Sequence, residues 1–407
     1  MTYGKKTEKS PLSRRRTHEK QSHMADFSPA FRRKFYSNAS VIPLPSLSRQ
    51  SSTETTVSDT TPPNSPSASR KSREDNVFSR LTSGSFRLNK PGSGVIIPFS
   101  SKLNLTKNLP LVCTHTAEGH SRAILSLTAT DDVLFSGSKD RTVKIWDLGT
   151  GKEIQSLGGH PNNVCVVRYS EYSRLAFSVS TAFVKVWDVR ENPAKCIQTL
   201  SSSGLSNSGT PTLNTPSRTL QMPQGETQIH DIALNRYGTT LFSAASNIVR
   251  IWDLRMYKAI GKLSGSHQAA IMCLAVDNEG LDKNIVVTGS KDHYIKVFEV
   301  TGGTHLAKTN LKPPHYDGIQ SLAMSGNILF SGSRDMCIKK WNLKTGSHIQ
   351  SLNQAHKDWV CALSFLSNNS MLLSGCRGGF LKLWAADTTQ LIGEIKAHSA
   401  PINAIST

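Results

Sequence analysis

Val133-Leu134-Phe135-Ser136-Gly137-Ser138-Lys139-Asp140-Arg141-Thr142-Val143-Lys144-Ile145-Trp146-Asp147 is the stretch from which the rest of this 407-residue chain can be read. Two β-branched or aromatic runs flank a Gly/Ser/Asp turn, which predicts a tight antiparallel hairpin. Upstream lie Gly119-His120 and a short apolar run at Ile124, Leu125 and Leu127; downstream lies Ile154-Gln155-Ser156-Leu157. The unit is therefore four short strands. It recurs: strand-like runs also end on Trp187-Asp188, Trp252-Asp253, Phe298-Glu299, Trp341-Asn342 and Trp384-Ala385. The gaps between successive aromatics are 41, 65, 46, 43 and 43 residues.

A period of 40–45 residues with a Gly-His and Trp-Asp signature marks the WD40 β-propeller, an all-β ring of four-stranded blades. One blade cannot bury both faces, so the units are expected to fold as one body. In that family a His, a Ser or Thr, an Asp and the Trp form a hydrogen-bonded chain within each blade. The matching residues here are His120, Ser136, Asp140 and Trp146, and again His315, Ser331, Asp335 and Trp341. The fourth unit has His267, Thr288 and Asp292 but Phe298 in place of Trp, and the sixth has His356, Ser374 and Trp384 but Gly378 in place of Asp. Units two and three have a turn one residue shorter and no Asp, so their loops on that face are expected to differ. These His/Asp pairs also resemble metal or catalytic sets. They recur once per blade and do not converge, so they read as scaffold. No catalytic residue, metal or cofactor is expected.

The layout expected is a seven-bladed type with its last blade incomplete. Lys396-Ala397-His398, with Ile402 and Ile405, begins a seventh unit, and Leu111-Val112-Cys113-Thr114-His115 is placed to close the ring as that blade's outermost strand. The propeller is expected over 109–407, with a flexible Ser/Thr/Gly/Pro insert at 201–224 that explains the 65-residue gap. Residues 1–108 read as a disordered basic linker. Its stretch 76–85 reads either as a short docking motif or as a stray apolar spot. The formal net charge is +19, and residues 1–110 hold 19 of the 48 Lys and Arg but 7 of the 29 Asp and Glu. Six Ser-Pro or Thr-Pro pairs, at Ser10, Ser28, Thr61, Ser65, Thr210 and Thr215, are places where phosphorylation would lower that charge.

No apolar run is long enough to span a bilayer, and the basic start lacks the apolar core of a secretory signal, so no membrane insertion is expected. Seven cysteines form no C-x-x-C pair, and several, such as Cys165, Cys273 and Cys361, fall in strand-like runs. They read as reduced core thiols of a cytosolic protein. There is no phosphate loop and no nucleophile elbow. Stacking aromatics among the basic residues are not evident, which argues against a nucleic-acid platform.

The residue before the turn Asp should sit at one repeated place on a rim. It is Lys139, Lys291, Arg334 and, in the Asp-less unit, Arg377, with Arg141 and His293 beside them. A cation at one position in four of six units predicts a positive face that attracts anionic partners. Trp359 reads either as an exposed aromatic anchor on that face or as packing between blades.

Five stretches go beyond what the fold demands: Gly159-His160-Pro161-Asn162-Asn163-Val164, Phe177-Ser178-Val179-Ser180-Thr181, Gly289-Ser290-Lys291-Asp292-His293-Tyr294, Pro313-Pro314-His315-Tyr316-Asp317-Gly318 and Ala355-His356-Lys357-Asp358-Trp359-Val360-Cys361. With Asn76 to Ser85, they resemble the C-terminal propeller of long kinesins of the kinesin-4 class and the segment before it. The resemblance covers about 76–407. It implies a motor domain and coiled coil elsewhere in the full-length protein, where ATP binding would reside. It further implies a cytoplasmic, cytoskeletal location and a propeller that contacts microtubules or tubulin through their acidic surface. A scaffold recruiting protein cargo or regulators without binding tubulin is the alternative.

Overall fold

A computed structural model describes residues 94–99, 111–208, 222–263, 267–278, 283–302, 304–366 and 368–407. The candidate motif at 76–85, most of 201–224 and all six proline-directed sites lie outside the described residues.

The described chain forms six antiparallel sheets arranged as the blades of a propeller. It enters through a hairpin of β1 (Val95–Pro98) and β2 (His115–Glu118). Blade one follows as β3 (Ile124–Ala129), β4 (Val133–Ser138), β5 (Val143–Asp147) and β6 (Lys152–Leu157), in the four-strand order read from the sequence. Blades two to six span 166–208, 229–263, 271–310, 319–352 and 360–396. Each blade's first strand packs on the first strand of its neighbour, which makes it the inner strand. Among the described residues no helix is long and apolar enough to cross a membrane.

The core is divided among the gaps between blades. Phe135, Val143 and Leu157 of blade one pack with Val164, Val167 and Trp187 of blade two, and four further clusters repeat this between successive sheets up to blade six. Each such aliphatic or aromatic side chain contributes roughly 1.5–3 kcal/mol by leaving water. A β-bulge falls beside the aromatic in all six blades, at Trp146, Trp187, Trp252, Phe298, Trp341 and Trp384. Bulges re-aim side chains, and here the aromatics point into the blade gaps. The second strand supplies a glycine where the next blade's inner strand arrives. A Cβ at Gly332 would lie 2.6 Å from Val360, and one at Gly375 the same distance from Ile402.

Ring closure differs from the sequence expectation. Leu111 to His115, expected to complete the last blade, leads instead into β2, which pairs with β1 and, through β1, extends the outer edge of blade one. Gly94 is the local reason: its N–H donates to Glu153 Oε2 at 2.8 Å, and a Cβ there would lie 2.6 Å from the Trp146 ring. Val95–Pro98 is thus a strand inside the stretch expected to lack structure. The ring closes through the other end. Ile402 donates its N–H to Cys376 O, as Val164 does to Ser138 O, so residues after 401 take the place of a seventh inner strand. Asn403 Nδ2 donates to Ile124 O at 2.7 Å and Ser406 Oγ accepts the Ala129 N–H, which ties this segment to blade one.

Candidate partner-binding face

The turn between a blade's second and third strands is built the same way in the Asp-bearing blades. Ser138, Ser290 and Ser333 each accept the N–H of the turn Asp and donate to a carbonyl of the opening loop. The residue between, the expected rim cation, donates its own N–H to the opening loop. Lys139 bonds Ala123 O at 2.9 Å, Lys291 bonds Ala270 O at 2.9 Å, Arg334 bonds Gly318 O at 3.0 Å and Arg377 bonds Trp359 O at 2.9 Å. The four cations occupy one structural position in blades one, four, five and six. They make an arc rather than a full ring, because blades two and three have two-residue turns at Thr181-Ala182 and Ser246-Asn247. Arg141 and His293 follow the turn Asp with φ of 69° and 73°.

Beneath this face the polar chains lock the turns. In blade one Trp146 Nε1 donates to Ser136 Oγ at 2.8 Å, Ser136 meets His120 Nε2 at 2.7 Å, and His120 Nδ1 meets Asp140 Oδ2 at 2.7 Å. Blade five repeats it with Trp341, Ser331, His315 and Asp335. Asp335 also accepts the amide N–H of Tyr316 and Cys337. Burial opposes its ionisation, but these donors outweigh it and hold the carboxyl down to about 2. Asp140 is held well below the usual carboxylate range in the same way, by His120 and Thr142 against burial. Among the described residues no cluster of three or more His, Cys, Asp or Glu is arranged to hold a metal.

The incomplete chains are informative. His160 of blade two, which the sequence reading left out of the set, bonds Ser178 and, lacking an Asp, donates from Nδ1 to Arg141 O at 3.0 Å; Trp187 completes the chain. The signal was present in Gly159-His160, at the spacing of Gly119-His120 before its blade. In blade six Gly378 stands in the Asp position, and His356 Nδ1 is buried without a hydrogen-bond partner. A Cβ at Gly378 meets nothing closer than 3.5 Å. Gly378→Asp is therefore expected to raise unfolding free energy by about 1 kcal/mol by capturing that N–H. A rightward shift of the urea midpoint at unchanged slope is the check.

Every blade also carries a cation two residues before its aromatic: Lys144, Lys185, Arg250, Lys296, Lys339 and Lys382. Several of these are used internally. Lys144 pairs with Glu153 at 2.7 Å, Lys382 with Glu394 at 3.0 Å, Arg250 holds Ser202 O, and Lys339 holds Pro314 O. The arc behaves differently. Among the described residues neither Lys139, Lys291, Arg334 nor Arg377 has a carboxylate in ion-pair range.

Trp359 lies between the turns of blades five and six. It is half-buried, and both the Arg334 and the Arg377 guanidinium stack over its ring at 4.5 Å from the centroid. It is neither a free anchor nor simple core packing. The sequence reading also missed Tyr316, which is 86% exposed on the opening loop of blade five, and the exposed Arg122 on that of blade one.

A family described as "WD domain, G-beta repeat" matches residues 111–147, 151–188, 258–299, 308–342 and 346–385. This is a WD40-repeat chain. From the second onward, each matched WD40 unit takes in the outer strand of one blade and three strands of the next, and the unmatched stretch between 188 and 258 holds the first three strands of blade three, where neither the His nor the Asp is present. The chain is 46% identical to Kinesin-like protein KIF21B of Homo sapiens over 407 residues, 96% of this chain and 24% of that protein. Against Kinesin-like protein KIF21A of Homo sapiens the identity is 46% over 320 residues, 74% of this chain and 19% of the relative. Kinesin-like protein klp-12 of Caenorhabditis elegans is 36% identical over 222 residues, 51% and 14%. The likeness to the WD40 region of kinesin-like proteins therefore holds, and the chain spans about a quarter or less of the length of these relatives.

Proposed function

We propose that the chain serves as a non-catalytic WD40 tail of a kinesin-like microtubule motor, and that the cation arc contacts acidic surface on microtubules. The observation that carries this reading is the placement of Lys139, Lys291, Arg334 and Arg377 at one position of four blades with no carboxylate against them, while other cations of the same propeller are paired internally. A positive rim of this kind concentrates and steers anionic partners. The basic segment before the propeller adds to the attraction in sequence terms. On this reading the protein works in the cytoplasm on the cytoskeleton, needs no cofactor, and binds neither nucleic acid nor membrane.

Co-sedimentation of the 407-residue chain with microtubules tests it. The parent chain is expected to pellet, and the variant with all four cations changed to Glu is expected to bind at least 10-fold more weakly. Binding of the parent should fall steeply between low and physiological salt, because exposed charge pairs are screened over about 8–10 Å. Equal pelleting of both chains would refute the assignment of this face. The second reading, a scaffold for protein cargo or regulators, is favoured by the exposed Tyr316 and by Met336 at 36% exposure on the same rim. An interaction that survives high salt and is lost with Tyr316→Ala would support it.

A further inference from the structure

We propose that Arg334, Trp359 and Arg377 form a clamp for an extended acidic segment whose carboxylates fall on alternate residues. The proposal rests on the reading of this face as the contact surface, and it narrows what the partner must present there.

Three features define the clamp. Its two guanidiniums come from different blades, and each is set by a backbone bond of its turn to an opening loop: Arg334 N–H to Gly318 O, and Arg377 N–H to the carbonyl of Trp359 itself. The backbone that carries the indole is held in turn, its Trp359 amide N–H bonding Asp358 Oδ1 and its carbonyl accepting from the Cys361 thiol. Stacking on one ring therefore replaces the freedom of two long side chains with defined positions, which reduces the ordering cost of binding. The stack leaves the charge unspent, since no carboxylate lies in ion-pair range of either arginine among the described residues.

The spacing selects the ligand. Each guanidinium carbon is 4.5 Å from the ring centroid, so the two lie at most about 9 Å apart. Two separate carboxylates no farther apart than that can be met at once. In an extended chain, alternate side chains share a face and are separated by about 7 Å. Two such carboxylates can each take one guanidinium through charge-assisted, bidentate hydrogen bonds. The residue between them points away, and neighbouring carboxylates, which project to opposite sides, cannot engage both arginines.

Two synthetic peptides of equal composition test this by calorimetry with the full 407-residue chain. One alternates Ser and Glu over 12 residues; the other repeats Glu-Glu-Ser-Ser three times, so that no two Glu are two residues apart. The alternating peptide is expected to bind at least 10-fold more tightly. Trp359 gives a local readout, because the other five tryptophans are 0–7% exposed. Its fluorescence should change with the alternating peptide and not in Trp359→Phe. Arg377 is exposed, so Arg377→Lys should fold normally; it keeps the charge and loses the planar stack, and is expected to lose affinity as fully as Arg377→Gln. Equal affinity for both peptides, or full affinity in Arg377→Lys, overturns the clamp. If Lys139→Gln with Lys291→Gln weakens microtubule pelleting while Arg377→Lys changes neither assay, the clamp falls and the broader reading of the face stands. If the peptides behave as expected and the chain does not pellet with microtubules, the clamp stands and the microtubule reading falls.

Discussion

Replacing Glu153 with alanine is expected to destabilise the propeller by roughly 3–5 kcal/mol, the largest effect of any single substitution considered. Glu153 Oε2 lies 2.7 Å from Lys144 Nζ, and the two side chains are 0% and 4% exposed. Taking each ion out of water costs several kcal/mol, which only the partner offsets. Without Glu153 the ammonium stays buried between strands with no counter-charge. The same oxygen accepts the Gly94 N–H, so the β1–β2 hairpin loses its attachment as well. Against a typical total of 5–15 kcal/mol this is a large share, and thermal unfolding should move down by about 10 °C. The control is Glu394→Ala. Glu394 pairs with Lys382 at 3.0 Å but is 40% exposed, so the loss there should be under about 1 kcal/mol. Glu153 Oε1 has no hydrogen-bond partner, which leaves part of its own burial cost uncompensated. The double variant Lys144→Met with Glu153→Leu is therefore expected to recover most of the loss. A single-variant loss below 1 kcal/mol in urea titration would mean that water reaches the pair.

That pair also shows where legibility in the sequence stops. The Trp, Ser, His and Asp of a blade sit at short, repeated offsets, so their chain could be read from spacing alone, and so could the equivalence of Lys139, Lys291, Arg334 and Arg377. Ring closure could not. Leu111 to His115 and Val95 to Pro98 are both short apolar runs, and nothing in alternation says which sheet edge each will join. The choice is made by Gly94 fitting against Trp146 and Glu153, a contact between residues more than fifty apart. The Trp359 stack was hidden for the same reason. Its two arginines are 43 residues from each other and meet only because the turns of neighbouring blades flank one opening loop. His160 has no Asp in its own blade to complete the pattern, and a backbone carbonyl of the preceding blade, that of Arg141, does the accepting. At Trp359 and His160 the deciding contact crosses from one blade to the next, and at Gly94 it joins the entering chain to the edge of blade one, whereas the repeat pattern describes four strands at a time.

Acidification is expected to unfold the chain through its buried histidines, His160 and His356 above all. Burial, reinforced by a nearby lysine, pushes His160 and His356 down to about 4, against an ordinary 6.5. The fold therefore holds both rings neutral while the unfolded chain protonates them. Stability is full above pH 6.5, falls as pH drops from 6.5 to 4, and is flat below that for these two groups. A depression of this size corresponds to about 3 kcal/mol per ring across the window, and about 2 kcal/mol of it is lost by pH 5. The two lie in blades two and six with no shared partner, so their losses should add. His267 and His315 are also lowered by burial, but each bonds an Asp that counters it. Urea midpoints measured from pH 7.5 to 4.5 should fall steeply, and His356→Gln should make that slope shallower. An unchanged slope in that variant would place the titration elsewhere. The Gly378→Asp substitution supplies the sharper comparison. A carboxylate beside His356 Nδ1 stabilises the imidazolium, so the variant should both gain stability at pH 7.5 and carry its acid limb to lower pH. A neutral Gly378→Asn exchange, which offers an acceptor without the charge, should give the first change and little of the second.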